Sequence, residues 1–487
     1  MNFQKTVFVI ALVWYAITAY FSIGYIHADE HYQILEFAEY IDGVNTSKDL
    51  AWEFEARLRP ATQPIIAYFV IKITDFLSID NPYNKALFLR LLTTILSVLT
   101  ILLFTNSVKK WVHKQNWKLF LLLSYFIWFL PFINVRFSSE TWSGLSFLIA
   151  VSLLIRNKRK NYNFLLIGAI LGLSFLFRYQ IALAVIGLLA WLLFIRKEKF
   201  INLVLIAVSG LSMVLLGFFI DSWFYGEWVF VFWNYLYVNL VEGVAASFGT
   251  RPWYHYFLWI GYYAIPPIGL MIFLSLITVI YKKPKNIIIW IVVPFILVHS
   301  LIAHKELRFL FPIVNFVPII FVLFIQSFDW KILYNKWKYL FKISIVGLVL
   351  LNIILISIRS FIPAGFISRV NITKYIYEIE NVQPIELYSF NNSNPFKPWG
   401  LTTNFYGQKN IRYKQIDDYR HDELNKKIKR LFVLELSDKN DKKVQKFLKD
   451  SKMKVITKSA FHPLITLYRN EKNVLVLYGE NLELEYR

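Results

Sequence analysis

The sequence predicts an α-helical membrane protein that crosses the bilayer many times. Of its 487 residues, 57% are hydrophobic and 18% aromatic, whereas about 45–50% apolar residues are usual in a soluble protein. Long apolar runs recur between residues 6 and 361, and many approach the roughly 20 residues that a spanning helix needs. Basic residues collect in alternate loops between these runs. These observations favour a polytopic helical bundle.

Eleven apolar runs are predicted to cross the membrane. Their ranges are 6–26, 86–104, 117–133, 139–155, 162–177, 180–195, 201–220, 256–280, 286–302, 308–326 and 340–360. The first run has no small-residue cleavage site before His27, so we expect a retained span and not a signal peptide. A further apolar run over 63–78, with Lys72 and Asp75 inside it, predicts a helix that lies in the membrane interface.

Loop charges predict the orientation. Lysine and arginine occupy the even-numbered loops, at 109–118, 156–160, 196–199, 282–285 and 331–338. The positive-inside rule then places the N-terminus in the cytoplasm and the long loops 27–85 and 221–255 outside. Eleven spans also place the C-terminus outside. This topology depends on a break at Arg178, where a single bent helix is the alternative.

Two domains follow from the change of composition after residue 361. Residues 1–361 form the predicted membrane domain. Residues 362–487 contain short β-like runs at 431–436 and 473–478 with an amphipathic helix at 442–449, which predicts a small extracytoplasmic α/β domain.

Composition also excludes several kinds of site. The chain has no cysteine, so disulfides, thiolate metal sites and thiol nucleophiles are ruled out. The sequence contains neither a P-loop nor a G-x-G-x-x-G motif, and we expect no nucleic-acid partner. The net charge of +21 is explained by cytoplasmic loops or by an anionic lipid-phosphate ligand, and total charge does not separate the two.

Three polar clusters at the predicted outer face, at 27–36, 52–60 and 304–312, could carry chemistry. Inverting glycosyl transfer needs a base for the acceptor hydroxyl, which Asp29 or Glu30 could supply. It also needs positive charge on the departing phosphate, which His304, Lys305 and Arg308 could supply. The alternatives are solvated acids paired with Arg57 or Arg59, and basic side chains that extend from a helix end toward the interface.

Three further features allow two interpretations each. Arg178 interrupts an apolar region, either as a short-loop residue or as a partner for lipid phosphate. His27 and His31 are four residues apart and would share one face of a helix, so a divalent metal is the less favoured alternative to ordinary loop histidines. The aromatic loop 221–255 suits the membrane interface, and its aromatic faces and polar groups also suit a sugar.

The motifs taken in order resemble glycosyltransferase family 22. The matching stretches are His27-Ala-Asp-Glu-His-Tyr-Gln33, Trp52-Glu53-Phe54 with Arg59-Pro60, Asp221-Ser-Trp-Phe-Tyr-Gly226, Asn234-Tyr235, Gly249-Thr-Arg-Pro-Trp253 and His304-Lys-Glu-Leu-Arg-Phe-Leu-Phe-Pro312. Two positions depart from the family pattern, since Ala28 replaces proline and Ala51 stands where threonine is common.

The resemblance implies a GT-C architecture and an inverting sugar transfer from a polyprenyl- or dolichyl-phosphate donor, with mannose as the expected sugar. It implies Asp29 as base with Glu30 beside it, and His304, Lys305 and Arg308 at the donor phosphate, where we add Arg178. Expected substrate-binding residues are His27, His31, Gln33, Trp52, Glu53, Arg59, Asp221, Tyr225, Asn234 and Trp253. No cofactor or bound metal is implied.

We therefore expect a glycosyltransferase that works at the non-cytoplasmic face on a glycan or glycolipid acceptor. The alternatives are a transporter or flippase of lipid-linked glycans, and a ligase that moves a whole glycan. Absent cysteine and abundant isoleucine, lysine and asparagine favour a bacterial cell membrane. Sequons such as the one at Asn45 keep the endoplasmic reticulum as the alternative.

Overall fold

The computed structural model describes residues 3–156, 161–365, 367–380, 384–407, 410–418, 428–459 and 474–479, and they are mostly helical. The helices are α1 (Phe3–Phe21), α2 (Ala28–Tyr32), α3 (Leu35–Ile41), α4 (Trp52–Glu55), α5 (Thr62–Phe76), α6 (Pro82–Val108), α7 (Trp117–Phe126), α8 (Leu130–Asn134), α9 (Ser139–Arg156), α10 (Asn161–Phe177), α11 (Ala182–Ala190), α12 (Phe200–Tyr225), α13 (Val231–Leu236), α14 (Val244–Ser247), α15 (His255–Tyr263), α16 (Ile268–Lys282), α17 (Ile287–Leu301), α18 (Val317–Ile325), α19 (Lys331–Lys336), α20 (Lys338–Phe361), α21 (Ile367–Glu380) and α22 (Lys442–Ser451). The strands are β1 (Ile385–Ser389), β2 (Ile411–Gln415), β3 (Lys429–Glu435), β4 (Lys454–Lys458) and β5 (Leu475–Gly479).

Five helices in the described ranges are long and apolar enough to cross a membrane. They are Phe3–Phe21, Pro82–Trp111, Phe200–Tyr225, Leu307–Ile325 and Lys338–Phe361, and four shorter apolar helices accompany them. Two predicted spans are each divided, 117–133 into α7 and α8, and 256–280 into α15 and α16. Pro266 and Pro267 lie in the second break, and proline cannot donate the backbone bond that a continuous helix needs. Membrane character is supported, whereas eleven crossings stay a prediction.

The chain divides into two compact units. The first contains Met1–Ser22, Ala56–Ile66 and Leu87–Ile362, and the second contains Ile23–Glu55, Ala67–Ala86 and Pro363–Arg487. The predicted boundary near 361 thus coincides with one border between the units. Most of the first outer loop, however, belongs to the same unit as the strands.

In the first unit, helix α9 approaches the 3₁₀ segment Leu307–Phe316 very closely. A Cβ atom built on Gly144 would lie 2.6 Å from both Cα and the carbonyl oxygen of Pro312. Only glycine therefore fits on α9 at this crossing. Phe147, one turn along α9, packs edge-to-face on Phe316 of the same segment.

In the second unit, the strands form one sheet in the order β2-β1-β3-β5-β4. Strand β1 is parallel to β2 and β3, and β5 is antiparallel to β3 and β4. Helix α22 begins at the capping residue Asp441 and covers one face of the sheet through Val444 and Phe447. The predicted runs 431–436 and 473–478 and the helix 442–449 are confirmed as β3, β5 and α22, with residue 473 outside the described residues.

Two further local predictions are confirmed. The helix predicted at 63–78 is α5, Thr62–Phe76, while its place in the membrane interface stays a prediction. The predicted break at Arg178 is also present: α10 ends at Phe177, Arg178 is extended with φ −155° and ψ 114°, and α11 begins at Ala182. Of the basic loop residues used for the topology, Lys158, Arg159 and Lys160 lie outside the described residues.

Candidate active site

Helices α9 and α10 are joined by a reciprocal pair of serine hydrogen bonds. Ser143 Oγ donates to the carbonyl of Ser174 at 2.8 Å, and Ser174 Oγ donates to the carbonyl of Ser143 at 2.7 Å. Arg178 follows Ser174 by four residues, and Glu140 precedes Ser143 by three. Glu140 and Arg178 each lie about one helical turn from the serine pair, and the pair therefore holds them near each other.

Glu140 lies between two buried arginines. Its Oε1 is 3.2 Å from Nη1 of Arg178 and 3.0 Å from Nη1 of Arg308. The three side chains are at most 9% exposed. Because an unpaired buried charge is costly, the glutamate is what allows two guanidinium groups to occupy this place.

Glu306 holds the other side of Arg308. Its Oε2 is 2.5 Å from Nε of Arg308, and its Oε1 accepts from Nη2 at 3.1 Å, so the contact is bidentate. His304 Nε2 lies 3.1 Å from the same Oε1, and His304 Nδ1 lies 2.8 Å from the carbonyl oxygen of Gly249. The predicted phosphate-binding residues His304 and Arg308 thus meet at one carboxylate.

Lys305, which lies between His304 and Glu306 in the chain, is buried. Its Nζ donates to the carbonyl oxygens of Arg251 at 3.0 Å and of Ile302. An ammonium group has three N–H donors, and within the described residues these two carbonyls accept two of them. Burial lowers the pKa of Lys305 from its ordinary value.

These side chains form what we call the cationic cluster: Glu140, Arg178, His304, Lys305, Glu306 and Arg308. The cluster contains two arginines and one lysine against two carboxylates, so it has an excess of positive charge even with His304 neutral. Hydrogen-bond donors fixed in a buried place are suited to hold an anion such as a phosphate. Of the four residues predicted at the donor phosphate, Arg178, His304 and Arg308 are linked through Glu140 and Glu306, and Lys305 adjoins them in sequence.

The acid motif belongs to the second unit and begins the short helix α2. His27 caps this helix, since its Nδ1 accepts from the backbone N–H of Asp29 at 3.3 Å and lies 3.1 Å from Asp29 Oδ1. Glu30 Oε2 accepts from the backbone N–H of Ile26 at 2.9 Å. The Asp29 side chain remains 15% exposed, so its carboxylate is accessible to a proton donor.

The other residues of the motif point into the second unit. His31 is 1% exposed, and its Nε2 lies 2.8 Å from Glu36 Oε1. Gln33 Nε2 donates to Glu53 Oε1 at 3.0 Å, and both side chains are buried. Trp52, beside Glu53, is exposed. Of these predicted substrate-binding residues, Trp52 is the one that presents a large surface to its surroundings.

Two residues predicted from the second outer loop hold a segment of the first. Asp221 Oδ1 accepts from the backbone N–H of Ala61 at 2.8 Å, and Tyr225 OH donates to the carbonyl of Arg59 at 2.8 Å. The Arg59 guanidinium lies 5.9 Å from the ring centre of Tyr235. Asn234, on α13, is half-buried, and Trp253 is exposed. Asp221 and Tyr225 thus order the segment that carries Arg59.

Sequence reasoning missed Glu140, Glu306 and Glu36 as site residues. Glu306 lies inside the motif 304–312, and Glu36 follows the motif 27–33 by three residues. Glu140 opens a predicted span, where an ionisable residue is costly and therefore informative. A glutamate at the start of an apolar span was therefore the sequence signal that could have indicated Glu140.

Metal binding was the less favoured alternative for the two histidines. His27 caps α2 from outside, whereas His31 is buried against Glu36, so the two imidazoles have separate partners. In the part of the chain that is described, no three histidine, aspartate or glutamate side chains are grouped to hold a metal ion. That no cofactor is needed stays a prediction.

Comparison with known proteins identifies related chains. The model of the Alg9-like mannosyltransferase family matches residues 6–393. The GPI alpha-1,2-mannosyltransferase 3 of Bos taurus is 28% identical over 295 residues, which are 59% of this chain and 53% of that protein. The probable Dol-P-Man:Man(7)GlcNAc(2)-PP-Dol alpha-1,6-mannosyltransferase of Schizosaccharomyces pombe is 32% identical over 177 residues, 36% of this chain and 32% of that protein.

The chain thus spans about half of the first relative and a third of the second. Among solved structures, ArnT from Cupriavidus metallidurans bound to undecaprenyl phosphate has a TM-score of 0.58. Its sequence is 11% identical, and the match covers 98% of this chain and 97% of ArnT. At this identity the likeness concerns the fold alone, and it supports the predicted GT-C architecture.

Proposed function

Because the chain belongs to the Alg9-like mannosyltransferase family, we propose that it moves mannose from a polyprenyl-phosphate donor to a glycan or glycolipid acceptor. The observation that carries this proposal is the buried cationic cluster, which lies within the residues that match the family. Arg308 and Arg178 share Glu140 there, with Lys305 close in sequence. Such a cluster suits a phosphate that gains charge as a sugar departs.

A lipid-linked phosphate is the donor that these features favour. The chain has apolar helices that could sit in a bilayer, so a membrane-dissolved donor could reach the protein from the lipid. ArnT, whose fold this chain shares, is bound to undecaprenyl phosphate in its crystal structure. We therefore propose the phosphate of a polyprenyl-phosphate mannose as the ligand of the cationic cluster.

The proposed reaction is a single displacement. Asp29 accepts the proton of the acceptor hydroxyl, with Glu30 beside it, as that oxygen attacks C1 of the mannose. The bond from C1 to the phosphate oxygen breaks, and the electron pair leaves with the lipid phosphate, which Arg308 and Lys305 stabilise. Attack from the opposite side inverts C1, so a β-linked donor gives an α-linked product. The names of the mannosyltransferase relatives specify α linkages.

We place this reaction at the non-cytoplasmic face of the membrane, on the strength of the alternating loop charges. The bacterial cell membrane remains the proposed location because of composition. The relatives described above are eukaryotic, so the endoplasmic reticulum is retained as the alternative.

The test uses full-length protein in lipid nanodiscs with synthetic polyprenyl-phosphate mannose and a set of fluorescently labelled mannosides as acceptors. Mass spectrometry detects transfer, and NMR of the product determines the anomer. We expect the wild type to form an α-linked product. Asp29→Asn should lower kcat by about 100-fold or more while the donor still binds. Asp417→Asn, at an exposed carboxylate, is the control and should keep wild-type activity.

Two outcomes would contradict the proposal in different ways. A folded Asp29→Asn protein with full activity would exclude Asp29 as the base. If the wild type forms no product but, reconstituted in vesicles, moves a fluorescent analogue of the donor lipid across the membrane, the chain is a transporter and not a transferase.

A further inference from the structure

Glu36 is a buried carboxylate that the proposed reaction does not use. It is 1% exposed, and four residues donate to it. Oε1 accepts from His31 Nε2 at 2.8 Å and from the backbone N–H of Phe405 at 3.2 Å. Oε2 accepts from Asn45 Nδ2 at 2.9 Å and from the backbone N–H of Asn404 at 3.0 Å. One carboxylate therefore joins the acid motif to residues about 370 positions later in the same unit.

His31 transmits this contact to helix α2. Its ring stacks between Tyr25 and Tyr406, with ring centres 5.3 Å away on both sides. Its Nδ1 is buried and has no hydrogen-bond partner within the described residues. A buried N–H without a partner would be costly, so the hydrogen belongs on Nε2, where Glu36 accepts it. Glu36 thereby fixes both the ring and its tautomer.

Helix α2 needs such support because it has five residues. A helix this short is not stable on its own, so contacts outside it must set its direction. The segment Thr403–Tyr406 supplies several of them. Besides the bonds to Glu36, Thr403 Oγ1 lies 2.9 Å from the hydroxyl of Tyr32, and Tyr406 continues the ring stack onto Tyr83 at 4.7 Å.

We propose that Glu36 and the segment Thr403–Tyr406 position Asp29 and Glu30 for the reaction, so that part of the C-terminal region acts in catalysis through α2. This inference rests on the proposed function, since it assumes that Asp29 is the base. Glu36 is a positioning residue, because its own carboxylate is enclosed by protein donors. A displacement of about 1 Å at a reacting group can cost roughly 100-fold in rate.

Tyr406 offers the sharpest test, because two substitutions distinguish the role of its ring, which stacks on His31, from the role of its hydroxyl group. Tyr406→Phe retains the ring against His31, whereas Tyr406→Leu removes it. We expect Tyr406→Phe to keep kcat within about 2-fold and Tyr406→Leu to lower it about 10- to 100-fold, with the donor KM nearly unchanged. Glu36→Gln should resemble the leucine variant. Glu386→Gln is the matched control, since it alters another buried carboxylate of the same unit, paired with Lys414.

Hydrogen–deuterium exchange of peptides covering 27–36 provides a readout that does not depend on activity. Tyr406→Leu and Glu36→Gln should increase exchange there, and Tyr406→Phe and Glu386→Gln should not. Equal loss of kcat in Glu386→Gln, or a loss explained wholly by the unfolded fraction, would overturn positioning in favour of general stability. Unchanged exchange in the leucine variant would also overturn it. If the wild type transfers no mannose, the proposed function fails, while the exchange data still decide whether these residues order α2.

Discussion

Arg308 donates through Nη1 to Glu140 Oε1 at 3.0 Å, although 168 positions separate the two residues in the chain. The contact exists because two backbones meet one turn away. Gly144 follows Glu140 by four residues, Pro312 follows Arg308 by four, and Gly144 and Pro312 are in close contact. A glycine with no chemical role thus decides where an arginine is placed. The first two predictions follow from this relationship.

Arg308→Lys should raise the KM for polyprenyl-phosphate mannose by about 10- to 100-fold. Lysine keeps the charge but cannot contact Glu140 and both oxygens of Glu306 at once. Initial-rate kinetics at varied donor concentration measure the effect. Arg196→Lys, at an arginine paired with Glu198, is the control and should leave KM unchanged. An equal KM for both variants and the wild type would show that Arg308 does not hold the donor.

Gly144→Ala should destabilise the protein by about 1–3 kcal/mol, because the new methyl group would overlap the backbone of Pro312, which cannot rotate away. Thermal unfolding in nanodiscs measures the loss. The control is Gly347→Ala on α20, where the added Cβ would meet no atom within 4 Å apart from the local backbone of its own helix. There the better helix propensity of alanine should leave stability unchanged or slightly higher. Similar melting temperatures for the two variants would contradict the close contact between Gly144 and the backbone of Pro312.

Asp221→Ala should lower stability by about 1–3 kcal/mol, since the backbone N–H of Ala61 would lose its buried acceptor. Asp221→Asn should cost less, because the amide oxygen can still accept this bond. The measurement is thermal unfolding, combined with proteolysis near residues 56–66. If Asp221→Asn lowers stability as much as Asp221→Ala does, the charge of Asp221 matters at this site and the hydrogen bond to Ala61 does not.

Glu39 should make stability depend on pH. Burial, together with the nearby charges of Glu36 and Asp42, raises the pKa of Glu39 from 4.5 to about 7. The folded protein therefore binds this proton more tightly than the unfolded chain does. The resulting stability is fully present below about pH 4.5 and is lost as the pH rises through 7.

Glu39→Gln should flatten the pH dependence between about pH 4.5 and 7 and raise stability at pH 8 by on the order of 2 kcal/mol. Unfolding midpoints measured across this range give the slope. Glu378→Gln, at an exposed glutamate, should leave the slope as it is in the wild type. A Glu39→Gln protein with the wild-type slope would refute the raised pKa.

Local patterns predicted much of the secondary structure. Short apolar β-like runs located β3 and β5, amphipathic spacing located α22, and a single charged residue in an apolar stretch located the break at Arg178. These signals succeed because each depends on neighbours in the chain. Apolar length did not reveal that Pro266 and Pro267 divide the run 256–280 into two helices, since hydrophobicity does not report on backbone hydrogen bonds.

The candidate site was harder to predict because its contacts are distant in sequence. The motif at 304–312 contained Arg308, yet its partner Glu140 lies in an apolar span with no motif around it. His31 was expected at a substrate, but stacking against Tyr25 and Tyr406 buries it. The sequence near residue 31 gives no sign that an aromatic residue 375 positions later will pack on it. Only the folded chain shows that His31 is buried.

The bonds from residues 404 and 405 to Glu36 have a consequence for how relatives are recognised. Both donors are backbone N–H groups, and every amino acid except proline supplies one. These two bonds therefore place no demand of their own on the side chains at 404 and 405, beyond excluding proline. In an alignment of divergent relatives the partners of the glutamate would leave no mark of their own, and the two bonds would be visible only when structures are superimposed.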